Sequence, residues 1–294
     1  PDTTVGFGKT SAHYFYLVTE KKSKFMTVNS RPIVLLLFSL ISTGAANLSA
    51  ETADDINPLA ALPMRHIGPA LMSGRISDFA FYPGGNQAFI AGISSGNIFR
   101  TFNGGTTWEP IFENEDSYAV GVVELDPTDT NTIWVGTGEN NAQRSVAAGS
   151  GVYKSVDGGK SWSNVGLEDS GHISQIWINP NDSDEVIVAS QGPLWSDGGD
   201  RGLFRTSDGG KTWELILEID EHTGVNEFVV DPRDPDVIVA STYQRRRHVW
   251  VLINGGPGGG IHKTTDRGQS WTEVKAGLPS NQMGRIGLAG APSD

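Results

Sequence analysis

Two acidic residues, Glu139 and Asp200, sit in polar, glycine-containing runs: Gly138-Glu139-Asn140-Asn141-Ala142-Gln143-Arg144-Ser145 and Gln191-Gly192-Pro193-Leu194-Trp195-Ser196-Asp197-Gly198-Gly199-Asp200-Arg201. Two carboxyl groups held about 5–9.5 Å apart can serve as acid and base on a glycosidic bond. Glu139 and Asp200 are the candidate catalytic pair. A third run, Tyr243-Gln244-Arg245-Arg246-Arg247-His248-Val249-Trp250, adds cations and flat rings. Across the three runs, Asn140, Arg144, Trp195, Arg201, Tyr243, Arg245, Arg247, His248 and Trp250 are candidate ligand contacts. Amides and guanidinium groups hydrogen-bond to hydroxyls and carboxylates, and aromatic faces stack on apolar ring surfaces. The competing reading is that arginines and acids pair with each other to hold long loops in place.

Other residues argue against whole classes of function. His172, His222 and His248 show no His-x-x-x-His or comparable spacing, so they are read as supporting or surface residues and no metal site is assigned. The Gly255–Gly260 run lacks the Gly-Lys-Ser/Thr ending of a phosphate loop and reads as a flexible turn; no cofactor is expected. The formal net charge is −12, which argues against nucleic acid or an anionic membrane as the main partner. Against that background, Arg245-Arg246-Arg247 reads as an anion or loop clamp. The absence of cysteine removes disulfides and thiolate metal sites.

The elements that must position these runs are repeated. Four segments follow Ser/Thr-x-Asp-x-Gly-x-x-Trp, running Thr101–Trp108, Ser155–Trp162, Thr206–Trp213 and Thr264–Trp271, with Asn103 replacing the Asp in the first. A first strand recurs at Gly74–Phe81, Ala119–Asp126, His172–Asn179 and Val225–Asp231. Second strands follow at Ala88–Ala91, Thr132–Val135, Glu185–Ala189 and Asp236–Ala240, and third strands at Ile98–Arg100, Val152–Lys154, Leu203–Arg205 and Ile261–Lys263. The fourth begins at each Trp. Such units predict an all-β fold, a β-propeller of four-stranded antiparallel blades with four complete blades. Met283–Ala289 echoes the first strand and reads as the start of a fifth blade. A ring with open edges is unstable, so the chain is expected to be part of a larger propeller, with the remaining blades of the same full-length chain as its partner.

Within each repeat the Asp or Asn reads as a structural turn acceptor, its following glycine as a positive-φ position, and the Trp as a clip holding the turn to its blade. Asn103, Asp157, Asp208 and Asp266, with Trp108, Trp162, Trp213 and Trp271, are therefore structural. These turns join strands three and four on one face. The three polar runs join strands two and three on the opposite face, together with blade links carrying Glu168, Asp169, His172, Glu221 and His222. Long loops on a rigid scaffold are where function concentrates.

The N-terminal part reads differently. Residues 26–50 form a signal peptide: Arg31, an apolar stretch from Pro32 to Ile41, and small residues ending at Ala50, with cleavage after Ala50 or Ala46. The apolar stretch is shorter than the roughly 20 residues of a membrane span. Residues 1–25 are an upstream segment, 51–63 a polar lead-in, and 64–294 the partial propeller. Export to the periplasm, cell surface or medium is expected.

The repeats resemble the BNR/Asp-box superfamily, which includes sialidases, the sortilin (VPS10) luminal domain and family 74 xyloglucanases. Residues 64–294 are similar to large secreted bacterial BNR-repeat proteins of sortilin-like or glycosyl hydrolase-like type. The runs Ser73-Gly74-Arg75-Ile76, Gly136-Thr137-Gly138-Glu139-Asn140-Asn141, Gly199-Asp200-Arg201-Gly202 and Tyr243–Trp250 carry that resemblance. The sialidase arginine triad with its Tyr nucleophile has no counterpart here, and the catalytic aspartate context of the xyloglucanases is not matched. The resemblance implies a secreted propeller binding an extended ligand, polysaccharide or protein, on its long-loop face. The alternatives are a glycoside hydrolase using carboxylates on that face, or a structural scaffold.

Overall fold

The computed structural model describes residues 74–143 and 146–291. The signal-peptide, upstream and lead-in segments, and Arg144, lie outside the described residues. The rest is four antiparallel sheets of consecutive strands. Blade one is β1 (Ile76–Phe81), β2 (Phe89–Ile93), β3 (Asn97–Thr101) and β4 (Glu109–Pro110). Blade two is β5 (Val120–Leu125), β6 (Ile133–Thr137), β7 (Val152–Ser155) and β8 (Ser163–Asn164). Blade three is β9 (Ile173–Asn179), β10 (Asp182–Ser190), β11 (Gly202–Thr206) and β12 (Glu214–Leu217). Blade four is β13 (Thr223–Asp231), β14 (Asp234–His248), β16 (Gly260–Thr264) and β17 (Thr272–Glu273), with β15 (Val251–Asn254) paired only to β14. Four β-propeller blades are thus present in the order the repeats dictate.

No blade has a core of its own. The three apolar clusters each lie between consecutive blades, and the period-2 alternation of the strands divides their residues. Ile133 and Val135 of β6 join the cluster shared with blade one, whereas Trp134 joins the one shared with blade three. Val186 and Val188 of β10 face blade two, and Ile187 and Ala189 face blade four. Central strands buried on both faces read as continuous apolar runs for this reason. Gly121 sits where blades two and three approach closely; a Cβ there would collide with the Ile173 carbonyl.

The repeated turn is a local hydrogen-bond cage. In blade two, Asp157 Oδ1 accepts from Ser155 Oγ (2.8 Å) and from the backbone N–H of Lys160 (3.0 Å) and Ser161 (2.9 Å). Its Oδ2 accepts from Ser161 Oγ at 2.6 Å. Gly159 takes φ 81°, a left-handed conformation that glycine adopts without strain. The same cage holds Asp208 and Asp266, and the hydroxyls of Thr212 and Ser270 are the main cause of their pKa values falling to about 2. Asn103 builds the cage without charge: its Oδ1 accepts from Thr107 N (2.9 Å) and its Nδ2 donates to Thr107 Oγ1 (2.9 Å).

The Trp does more than clip its own turn. Trp162, Trp213 and Trp271 donate their indole N–H to the carbonyls of Ile111, Val165 and Ile216 in the preceding blade, at 2.6, 2.7 and 2.6 Å. Each acceptor lies three residues beyond that blade's own Trp. A second stitch runs the other way. Arg100, Lys154 and Arg205 of the third strands donate to the turn carbonyls of Gly158, Gly209 and Arg267 in the next blade, at 2.5, 3.2 and 2.7 Å.

The Met283–Ala289 segment carries no strand assignment, but it docks as a first strand would. Asn226 Nδ2 and Ser241 Oγ donate to Ile286 O (3.0 and 3.1 Å), and Leu288 N donates to Glu227 (2.8 Å). Asp78 and Gln175 receive Val123 N and Phe228 N in the same way, at 3.1 and 2.8 Å.

Trp213→Phe keeps the ring and strands the Val165 carbonyl, so urea unfolding should show a loss of about 1–3 kcal/mol. Trp108→Phe should cost much less, because the Trp108 indole N–H meets no acceptor among the described residues. The cage also has a pH signature. With folded values of about 2 for Asp208 and Asp266 against about 3.9 unfolded, the carboxylate contribution is complete above about pH 4 and is lost as pH falls through about 2. Melting temperature should drop across that window, and Asp208→Asn should drop less steeply.

Candidate functional site

The connection between strands two and three is a tight turn in blade one and long in the other three blades. Residues 138–151 connect β6 to β7 and residues 191–201 connect β10 to β11. In blade four the Tyr243–Trp250 run was expected as a loop, and most of it is strand: Arg245, Arg246, Arg247 and His248 pair with Asn254, Ile253, Leu252 and Val251. Charge made the run look like loop; its backbone bonds are satisfied by a hairpin that extends the blade.

Each long connection is seated on its neighbours. Gly149 N donates to Gly171 O (2.7 Å), Gln191 N to His172 O (2.9 Å), Gly198 N to Glu221 O (2.8 Å) and Arg247 N to Leu194 O (2.8 Å). The blade links and the three runs therefore do meet on one face.

Strand alternation divides the three arginines. Arg245 and Arg247 turn to the blade-two loop. Arg245 donates to Asn140 O (3.3 Å), Asn141 O and Gln191 Oε1 (2.8 Å), and Arg247 to Gln143 O (3.4 Å). Arg246 turns the other way, to Asp197 and to His222 Nδ1 (2.8 Å). Arg201 is wrapped by the carbonyls of Gln191, Pro193, Ser196 and Gly198. Burial lowers both Arg201 and Arg245 to about 10. His172, enclosed beside them, falls to about 3 through burial first and then the charges of Arg245 and Arg201, so it stays neutral.

The two candidate carboxylates have different partners. Glu139 is buried and ion-paired with Arg75 of blade one. Asp200 accepts the backbone N–H of Asp169 at 3.0 Å. Among the described residues no hydrogen bond or ion pair joins Glu139 to Asp200. Asp197, Glu221 and His222 bring one ligand atom each within 4.8 Å of one another. That spacing suits a divalent cation, and Arg246 already supplies positive charge there.

The remaining candidates separate by exposure. Tyr243 is enclosed, its hydroxyl hydrogen-bonded to Asn254 (2.8 Å), and Asn140 spans Gly121 O and Ser174 O, both at 3.3 Å. Trp195 and Trp250 are 60% and 83% exposed. The Arg247 guanidinium lies 5.5 Å from the Trp195 ring centre, and His248 stacks on Trp250 at 5.7 Å.

Beside this face lies a polar cavity of 480 Å³ where the first strands of all four blades converge. Asn140, Asn141 and Arg285 line it near the long loops; Asp78, Glu124 and Glu227 line it too. Arg285 donates to Asn140 O at 3.3 Å and was not among the sequence candidates. Its signal was available: Gly284-Arg285-Ile286 repeats Gly74-Arg75-Ile76. Glu124 is pushed up to about 7 by burial and then by Asp78, so the fold favours its neutral form. A raised acid makes the fold lose stability as pH rises from the unfolded value, about 4.3, to the folded one. Glu124→Gln should therefore stabilise the protein by on the order of 1–2 kcal/mol at pH 8 and leave it unchanged at pH 4, measured by chemical denaturation.

Residues 150–286 match the Sortilin-Vps10 family (Sortilin, neurotensin receptor 3). The chain is similar to a xyloglucanase from a Paenibacillus species, 26% identical over 221 residues, which are 65% of this chain and 20% of that protein. It is also similar to an oligoxyloglucan-reducing end-specific xyloglucanase of Emericella nidulans, 23% identical over 269 residues, 85% of this chain and 29% of that protein. The chain thus spans a fifth to under a third of those relatives. An ancestral GH74 enzyme superposes with a TM-score of 0.55 at 19% identity, covering 70% of this chain and 26% of that one; this likeness is one of fold.

Proposed function

We propose that this chain, a β-propeller of the BNR/Asp-box repeat kind, binds an extended polysaccharide across its long-loop face. The observation that carries the reading is the pair of exposed indoles, Trp195 and Trp250, on connections fixed by buried arginines. Rigid aromatic faces beside hydrogen-bonding cations suit a chain of sugar rings, whose apolar faces stack and whose edges accept hydrogen bonds. In this reading Trp195, Arg247, His248 and Trp250 touch ligand, and Asn140, Arg201, Tyr243 and Arg245 hold the loops that present them. The xyloglucanase names of the curated relatives support a polysaccharide ligand. The reading of residues 26–50 as a signal peptide places the binding outside the cytoplasm, and no helix among the described residues is long and apolar enough to cross a membrane.

Affinity electrophoresis through xyloglucan and other soluble glycans tests it. Trp195→Ala and Trp250→Ala should each weaken retardation about tenfold, or about 1.4 kcal/mol, with unchanged melting. Unaltered binding in both variants would move the site elsewhere, and binding only to peptides would make the ligand protein. A hydrolase reading is favoured by the relatives' names and uses Glu139 and Asp200 as acid and base. Reducing-sugar release that disappears in Asp200→Asn and Glu139→Gln, with folding retained, would establish it. Release from no substrate leaves binding, and no binding at all leaves a scaffold.

A further inference from the structure

Resting on the polysaccharide reading, we infer that the preferred ligand is anionic, a uronate-bearing polysaccharide whose carboxylates are received by Arg247 and Arg285, with the buried Arg245 adding positive charge beneath them. The charges on this face are paired asymmetrically. Glu139 is paired with Arg75, and Asp197 with Arg246 and His222. The three arginines converge on one short stretch: Arg245 and Arg285 share the Asn140 carbonyl, Arg245 also takes Asn141, and Arg247 takes Gln143. Among the described residues neither Arg245 nor Arg247 has a carboxylate within ion-pair distance, and Arg285 meets Glu227 only at 3.8 Å. Carbonyl dipoles solvate these charges without cancelling them. Burial lowers the Arg245 pKa, Tyr243 acts to raise it, and the like charges of Arg285 and Arg247 act to lower it further. Neighbouring Arg201 is likewise carbonyl-bound, with Asp220 acting on it only at longer range.

An anion placed at this stretch relieves like-charge repulsion, and guanidinium groups suit carboxylate geometry. The chain's overall negative charge does not oppose this. At physiological ionic strength charges beyond about 8 Å are largely screened, so the local cluster decides. Trp195, under Arg247, supplies a ring face beside the cations, which a uronate sugar uses together with its carboxylate. The acids of the cavity limit the path. Glu124 lies four residues further along β5 than Val120, the residue beside the long-loop end. Asp78 and Glu227 also line that interior, which disfavours an anion, so the polymer lies across the rim.

The test compares polygalacturonate, xyloglucan and poly-glutamate by titration calorimetry on the whole chain, at about 20 and about 200 mM NaCl. Expected is binding of polygalacturonate at least about tenfold tighter than xyloglucan, weakening with salt. Arg247→Gln and Arg285→Gln should each weaken polygalacturonate binding about tenfold and flatten its salt dependence, with xyloglucan binding falling by less, so that the preference disappears while melting temperature is kept. Arg247 serves as the second variant because Arg285 also touches Glu227. Equal, salt-insensitive binding of both polysaccharides, unaffected by the variants, overturns the inference and leaves the polysaccharide reading intact. Binding of poly-glutamate alone overturns both in favour of an acidic peptide. No binding by folded protein ends both.

Discussion

Each blade is tied to the one before it by an indole N–H given to a strand-end carbonyl, and that tie repeats in register three times. It matters because a blade is a single sheet with two apolar faces and cannot shield either by itself. The apolar clusters accordingly sit between blades. An indole donor fixes where along the strand the neighbour must sit, and the third-strand cation fixes the other side of the same turn. Register, core and twist then follow from docking like units, as in other repeat architectures.

The same turn shows why repeated acids need not be chemical. The Asp-box carboxylate spends its lone pairs on its own turn, accepting two backbone N–H groups and two hydroxyls in blade two. Asn103 keeps the geometry by donating where the Asp accepts. Charge is dispensable to the shape, and the acid is used within its own turn. Chemistry is left to the opposite face, where the connections differ from blade to blade.

That face is rigid by way of arginine. Arg201 and Arg245 hold long connections by collecting carbonyls that a loop would otherwise leave to water. A guanidinium with several planar donors can do this where lysine cannot. The consequence is electrostatic: charge used for architecture remains as field, and Arg247 brings charge to 5.5 Å from the exposed ring of Trp195.

The sequence by itself determined the blades. Strand order, the turn cages at Asp157, Asp208 and Asp266 and the substitution by Asn103 follow from short-range patterns repeated in register, because each depends on neighbours in the chain. It also grouped the polar runs on one face, since propeller connectivity sorts loops by strand number. Tertiary structure decided what each polar residue does there. Glu139 lies against Arg75, 64 positions away in sequence (139 − 75), and Arg245 reaches Asn140 and Asn141 across more than a hundred. The division of Arg245 and Arg247 from Arg246 required knowing that a charged run was strand. The raised acid at Glu124 required knowing which side chains share the inner cavity. Those contacts are set by how blades pack, and packing brings together residues that no local pattern links.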